Sequence, residues 1–304
     1  MLKPLVTALA VSSAALSFNA SAAQCDASRV KLQVLGSGGP QLDDGRASSS
    51  YLVWVDGKAK VMIDTGPGSS VNYGKAGANY LDLEAIALSH LHVDHSSDLP
   101  AYLKGGFFAQ RIEDIKLFGP TGNARMPSIQ HFVDSVFGEK GAYPYLSGYF
   151  VPWQRNYTIE VVTADAASDS VQRFAVTDDI RMSAIGVQHG QLPAVAWRVD
   201  VAGCAITFSG DMSGRRDNLQ KLAQGSDILV AHHAVPEGAG DGVAGLHMRP
   251  SKIAQIAAEA EVGQVVLSHR MSPSIGREDE SREHIAKRFK GEVHFADDMD
   301  SFTP

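Results

Sequence analysis

The most constraining feature of this chain is the run His90-Leu91-His92-Val93-Asp94-His95, which packs three imidazoles and one carboxylate into six positions. It follows an apolar stretch, and Ala85 to Ser89 reads as a buried strand. Residues two apart at a strand end point the same way, so His90 and His92 can serve one metal ion. Asp94 and His95 then turn away, placed to hold a second ion beside it. Neutral imidazole nitrogen and carboxylate oxygen are donors that suit zinc and its first-row neighbours. A lone histidine is commonly structural, but four such residues at this spacing read as a metal site.

The rest of the chain sends more of the same residue types to strand ends. Val30 to Leu35 alternates as a strand and runs into Gly36-Ser37-Gly38-Gly39-Pro40. No helix follows that turn and its spacing is not a dinucleotide fingerprint, so a Rossmann reading fails. Tyr51 to Val55 and Lys60 to Ile63 form a hairpin around Asp56-Gly57, and the second strand ends in Asp64-Thr65-Gly66. Ile180 to Val187 is a strand ending in Gln188-His189-Gly190. Ala194 to Val201 and Cys204 to Phe208 make a hairpin ending in Ser209-Gly210-Asp211. Ile228 to Val230 leads to His232-His233, a glycine-rich loop reaches His247, and Gln264 to Leu267 runs directly into Ser268-His269. Helices are expected at Asp98 to Gln110, Ser128 to Phe137, Leu219 to Gln224, Pro250 to Glu261 and Asp279 to Phe289. Two halves with a similar β-then-α plan, and no low-complexity linker between them, predict an α/β fold built as a four-layer αββα sandwich whose loops share one edge.

The first residues do not belong to that core. Met1-Leu2-Lys3, the apolar stretch Leu5 to Phe18 and Ala20-Ser21-Ala22 read as a secretory signal peptide over 1–22, leaving a single domain over 23–304 in the periplasm or outside the cell. Cys25 and Cys204 could form one disulfide. Cys25 stands in an expectedly mobile N-terminus, so the bridge is not expected. A net charge of -7 opposes general nucleic-acid binding, which needs a basic face. An aromatic-rich insertion, Tyr143 to Trp153 with Phe107 and Phe108, can line a pocket for an apolar or aryl group or serve as ordinary core.

The H-x-H-x-D-H run resembles the signature of the metallo-β-lactamase superfamily. Leu35 to Gly39, Ile63 to Gly66, Ser89 to His95, Val187 to Gly190, Phe208 to Asp211, His247 and Val266 to His269 follow in the order of the branch containing ribonuclease Z and the arylsulfatases of this fold. The resemblance implies that His90, His92 and His189 hold one divalent ion, that Asp94, His95 and His269 hold another, and that Asp211 bridges them, with Zn2+ the foremost candidate metal. Asp64 would support the metal histidines without binding metal. Asp94, Asp211 and His247 are the candidate catalytic residues, and a hydroxide between the ions is the implied nucleophile. Ala231-His232-His233-Ala234 departs from the branch's His-Glu-Ala run, leaving open which imidazole faces the metals. Met212 stands where the branch commonly has threonine.

These readings point to an exported metal-dependent hydrolase of a sulfate ester or a phosphodiester, either arylsulfatase-like or a phosphodiesterase. The alternatives are a lactone or thioester hydrolase of the same fold, a β-lactamase or a non-catalytic metal-binding protein. The expected substrate is a small anionic ester, with no nucleic acid and no membrane as partner, and a homodimer is compatible with the sequence. Transfer-RNA processing is disfavoured by the export signal, the acidic balance and the short His189-to-Asp211 interval, where bacterial ribonuclease Z proteins carry a long insertion.

Overall fold

The computed structural model describes residues 24–304, so the expected signal segment 1–22 lies outside the described residues. Among the described residues the chain forms two seven-stranded sheets. The first contains β1 (Val30–Gly36), β2 (Ser50–Val55), β3 (Lys58–Ile63), β4 (Ala85–Ala87), β5 (Ile115–Pro120) and β6 (Ile159–Ala164). The second contains β7 (Gln172–Ala175), β8 (Ile180–His189), β9 (Leu192–Val201), β10 (Cys204–Phe208), β11 (Ile228–His232), β12 (Gln264–Ser268) and β13 (Glu292–Phe295). The last strand, β14 (Ser301–Phe302), returns to the first sheet beside β1.

The strand orders are β14-β1-β2-β3-β4-β5-β6 and β13-β12-β11-β10-β9-β8-β7. From β14 in the first sheet and β7 in the second, each runs through three antiparallel junctions and then three parallel ones. β2–β3, β7–β8, β8–β9 and β9–β10 are hairpins that short turns close, whereas the parallel strands need crossovers. Asp56 and Gly57, at φ 50° and 74°, both take the left-handed conformation that lets a two-residue loop follow the twist of β2 and β3.

Alternation along the strands sorts side chains into layers. Val34, Tyr51, Ile63, Trp197, Phe208 and Val230 meet between the sheets. Leu52, Met62, Ile86 and Leu117 face the first-half helices Leu99–Phe108 and Ile129–Phe137. In the second half, Leu229, Ala231 and Leu267 lie under the helices Leu219–Ala223 and Pro250–Glu259. This is the expected αββα sandwich. Among the described residues no helix is long and apolar enough to cross a membrane.

Two local expectations are corrected, and the aromatic insertion, left open between pocket and core, is divided between surface and core. β4 ends at Ala87, so His90 and His92 lie in the loop beyond it rather than at the strand end, and Val93–Ser96 is a short helix. Cys25 and Cys204 are disulfide-bonded, against expectation. The Asp26 amide donates to the Ala202 carbonyl in the β9–β10 turn at 3.0 Å, which brings the N-terminal segment alongside Cys204. Phe107, Phe108 and Tyr145 gather around the Lys104 ammonium on the surface, where Phe108 is 75% exposed. Elsewhere in the insertion Leu146 and Tyr149 are buried core.

Candidate metal centre

The ends of β3, β8, β10, β11 and β12 and the loop after β4 converge, so residues far apart in sequence share one pocket of polar atoms. The sheets are tied together there: the Trp197 indole N–H donates to the Leu88 carbonyl at 3.1 Å and the Val195 amide to the Ser89 carbonyl at 2.9 Å. The Asp64-Thr65-Gly66 turn lies against the short helix. Thr65 donates its amide to the His95 carbonyl at 2.8 Å, and a Cβ on Gly66 would stand 2.3 Å from the Asp94 carbonyl oxygen, so that position tolerates only glycine.

Two groups of donors result. His90, His92, His189 and Asp211 place ligand atoms within 4.8 Å of one another, as do His95, Asp211, His232 and His269. Asp94 adjoins the second group, with Oδ2 3.2 Å from His269 Nε2 and 3.5 Å from His95 Nε2. Asp211 belongs to both. Its Oδ2 lies 3.9 Å from His90 Nε2, 3.8 Å from His189 Nε2 and 3.7 Å from His95 Nε2, while Oδ1 is 3.4 Å from His269 Nε2. The structure thus brings together every candidate metal residue named from the sequence.

The outer hydrogen bonds decide which nitrogens face inward. Asp64 accepts from His95 Nδ1 at 2.8 Å, from the Ser89 amide at 2.7 Å and from the Ser89 hydroxyl at 2.8 Å. The serine oxygen, its proton given to Asp64, accepts from His90 Nδ1 at 3.1 Å. His189 Nδ1 donates to the Leu246 carbonyl at 3.0 Å. Each ring therefore keeps a proton on Nδ1 and turns Nε2 toward Asp211, an arrangement that orients a metal-binding imidazole and raises its basicity. His95 Nε2 is buried with no hydrogen-bond partner, an uncompensated atom that a cation would satisfy. Burial, reinforced by His95, pushes His90 well below the ordinary imidazole range, and burial lowers His92 too, so both favour the neutral form that binds metal. Burial works against charge on Asp94 and Asp211, but attraction to His95 and His269, which the carboxylates in turn raise above the ordinary imidazole range, outweighs it and holds both below the usual carboxylate range. The donor set fits two divalent ions.

His247 faces the same pocket. Its Nδ1 lies 3.9 Å from Asp211 Oδ2, and its side chain is 12% exposed where the other Asp211 neighbours are almost wholly enclosed, which puts it at the mouth. Burial lowers its pKa to about 4. The ambiguity at His232 and His233 also resolves. His232 points into the centre, while His233 turns to the Ser281 hydroxyl at 2.9 Å and the Phe295 ring. Strand parity could have separated them: β11 runs to His232, and Ile228, Val230 and His232 share the face between the sheets.

The model of the Metallo-beta-lactamase superfamily matches residues 43–241. The chain is 26% identical to the ribonuclease Z of Mycolicibacterium gilvum over 284 residues, covering 89% of this chain and 94% of that protein. Among solved structures, the metallo-beta-lactamase fold protein YhfI of Bacillus subtilis superposes with a TM-score of 0.70 at 19% identity, covering 91% of this chain and all of the other. The short form of human tRNase Z superposes with a TM-score of 0.67 at 18% identity, covering 90% and 98%.

Proposed function

Since this chain belongs to the metallo-beta-lactamase superfamily, we propose that it is an exported hydrolase of small anionic esters, with a phosphodiester as the leading substrate class. His90, His92, His189 and Asp211 would hold one divalent ion, and Asp94, His95, His269 and Asp211 a second. Bound there, the ions would lower the pKa of water from 15.7 toward about 7 and draw off charge from the ester oxygens. The observation that carries the reading is Asp211, whose two oxygens are shared between the two histidine groups.

The protein's own groups do the rest. Asp64, Ser89 and the Leu246 carbonyl hold the imidazoles so that their Nε2 atoms face inward. His247, neutral at physiological pH and open to solvent on one side, is placed to hydrogen-bond an ester oxygen entering from the mouth. A small substrate is favoured by the net charge of -7 and by the tight turns joining β8, β9 and β10, which leave no arm to grip a polynucleotide. Phosphodiester chemistry is favoured by the relative named ribonuclease Z. Export is favoured by the leader-like first residues and by the Cys25–Cys204 disulfide, since such bonds persist in oxidising compartments.

The test is to recover the protein from the periplasm of an expressing bacterium, determine its mass and metal content, and assay it with a bis-aryl phosphate, an aryl sulfate, a lactone, a cephalosporin and a precursor tRNA. We expect a chain cleaved near Ala22 with its disulfide closed, two metal ions per chain, and turnover of the bis-aryl phosphate that a chelator abolishes. Turnover confined to the aryl sulfate would move the substrate class to sulfate esters. Processing of precursor tRNA alone would overturn the small-molecule reading.

A further inference from the structure

We propose that His232 and Tyr51 act as a positioning pair that sets the rotation of the Asp211 carboxylate, an inference that rests on the metal-centre reading above. His232 closes β11 and is buried, with Nδ1 2.7 Å from Asp211 Oδ1 and Nε2 3.1 Å from the Tyr51 hydroxyl. Tyr51 stands on β2 in the opposite sheet, fully buried, and Ser268 Oγ at the end of β12 lies 3.0 Å from the same hydroxyl. The His232 amide is itself fixed, donating to Ser209 Oγ at 3.1 Å, and the ring stacks on His269 with centroids 4.9 Å apart.

The direction of each bond follows from chemistry. A carboxylate can only accept, so His232 must carry its proton on Nδ1 and give that hydrogen bond to Asp211. The lone pair left on Nε2 then faces the Tyr51 hydroxyl, whose single proton is shared between that lone pair and Ser268 Oγ. Among the described residues this is the one hydrogen bond that the Asp211 carboxylate receives. Rotation about its last bond is otherwise broad, because a carboxylate on a tetrahedral carbon has no sharp torsional wells. Oδ1, held by His232, also faces His269, and Oδ2 is thereby turned toward His90, His95 and His189. Losing the pair would let both oxygens swing away from both donor groups at once. Partners of this kind around a ligating group are typically worth 10–100-fold in metal affinity or activity.

Three variants separate positioning from packing. His232→Phe keeps the ring and its stack but removes both nitrogens. His232→Asn puts an amide N–H near the place of Nδ1 and drops the tie to Tyr51. Tyr51→Phe removes one oxygen. Each is titrated with Co2+ in competition with a chelator, followed by its visible spectrum and by kcat and KM on a bis-aryl phosphate, with thermal unfolding as the check on folding. We expect H232F to bind Co2+ about 10–100-fold more weakly, with a shifted spectrum and a fall in kcat larger than any rise in KM. H232N should recover much of the loss, and Tyr51→Phe should fall between them and serve as the deciding variant if H232F does not fold. Wild-type affinity and spectrum in both H232F and Tyr51→Phe would overturn the proposal alone. A wild-type protein that takes up no Co2+ would overturn the metal-centre reading, and the proposal with it.

Discussion

Replacing Asp211 with asparagine is expected to lower turnover of a bis-aryl phosphate by about 10³-fold or more, equivalent to roughly 4 kcal/mol of barrier. The substitution is nearly isosteric, so its effect comes from charge and hydrogen-bonding sense. His232 Nδ1–H sits 2.7 Å from Oδ1 and requires an acceptor there, which obliges the asparagine to point its oxygen at His232. Its NH2 group must then face His90, His95 and His189, where Oδ2 now lies 3.7 to 3.9 Å from their Nε2 atoms. A shared negative acceptor becomes a neutral donor aimed into the centre. The check is kcat at saturating metal together with metal content per chain. Activity within tenfold of wild type would remove Asp211 from the machinery.

Asp64→Asn should weaken metal binding by about 10–100-fold while leaving the protein folded, and Asp64→Ala should in addition cost about 3–5 kcal/mol of stability. Asp64 is buried, sits at φ 58° and accepts three hydrogen bonds. Asparagine tolerates that backbone conformation and can still accept from Ser89. Toward His95, however, its amide can only donate, so the His95 proton moves to Nε2 and blocks the nitrogen that now faces Asp94 and Asp211. Alanine strands the donors of Ser89 and His95 in a dry interior and pays for the left-handed backbone as well. Chelator-competition titrations and thermal unfolding of the two variants separate these effects. Equal stability of both, with unchanged metal affinity, would show that Asp64 is only a turn residue.

Much of this centre could be read from the chain because its donors sit at or just beyond the ends of apolar strands, and strands of that kind announce themselves by composition and alternation. The strand pattern places Asp64, His189, Asp211 and His269 at strand ends, their roles there are what the resemblance to the superfamily implies, and the αββα layering follows from the same strands. What stayed hidden depends on neighbours in space. The Cys25–Cys204 bond spans 179 positions and rests on a backbone contact between Asp26 and Ala202 that no local pattern encodes. β7 and β14 are short edge strands with few buried apolar side chains, so they lack the alternation that marks the others. The choice between His232 and His233 turned on two residues of strand length: β11 continues past Val230 because its backbone pairs with β12 as far as His232 opposite Ser268.

The return of β14 to the first sheet, set beside the disulfide, shows how the two halves are laced together. Residues after β13 cross back to pair with β1, and Cys25, just ahead of β1, is anchored in the second sheet. A protease cut between 165 and 171 would thus leave two fragments still held, besides the core between the sheets, by one covalent link and one pairing strand. On a non-reducing gel they should migrate as a single species, and only reductant with denaturant should part them.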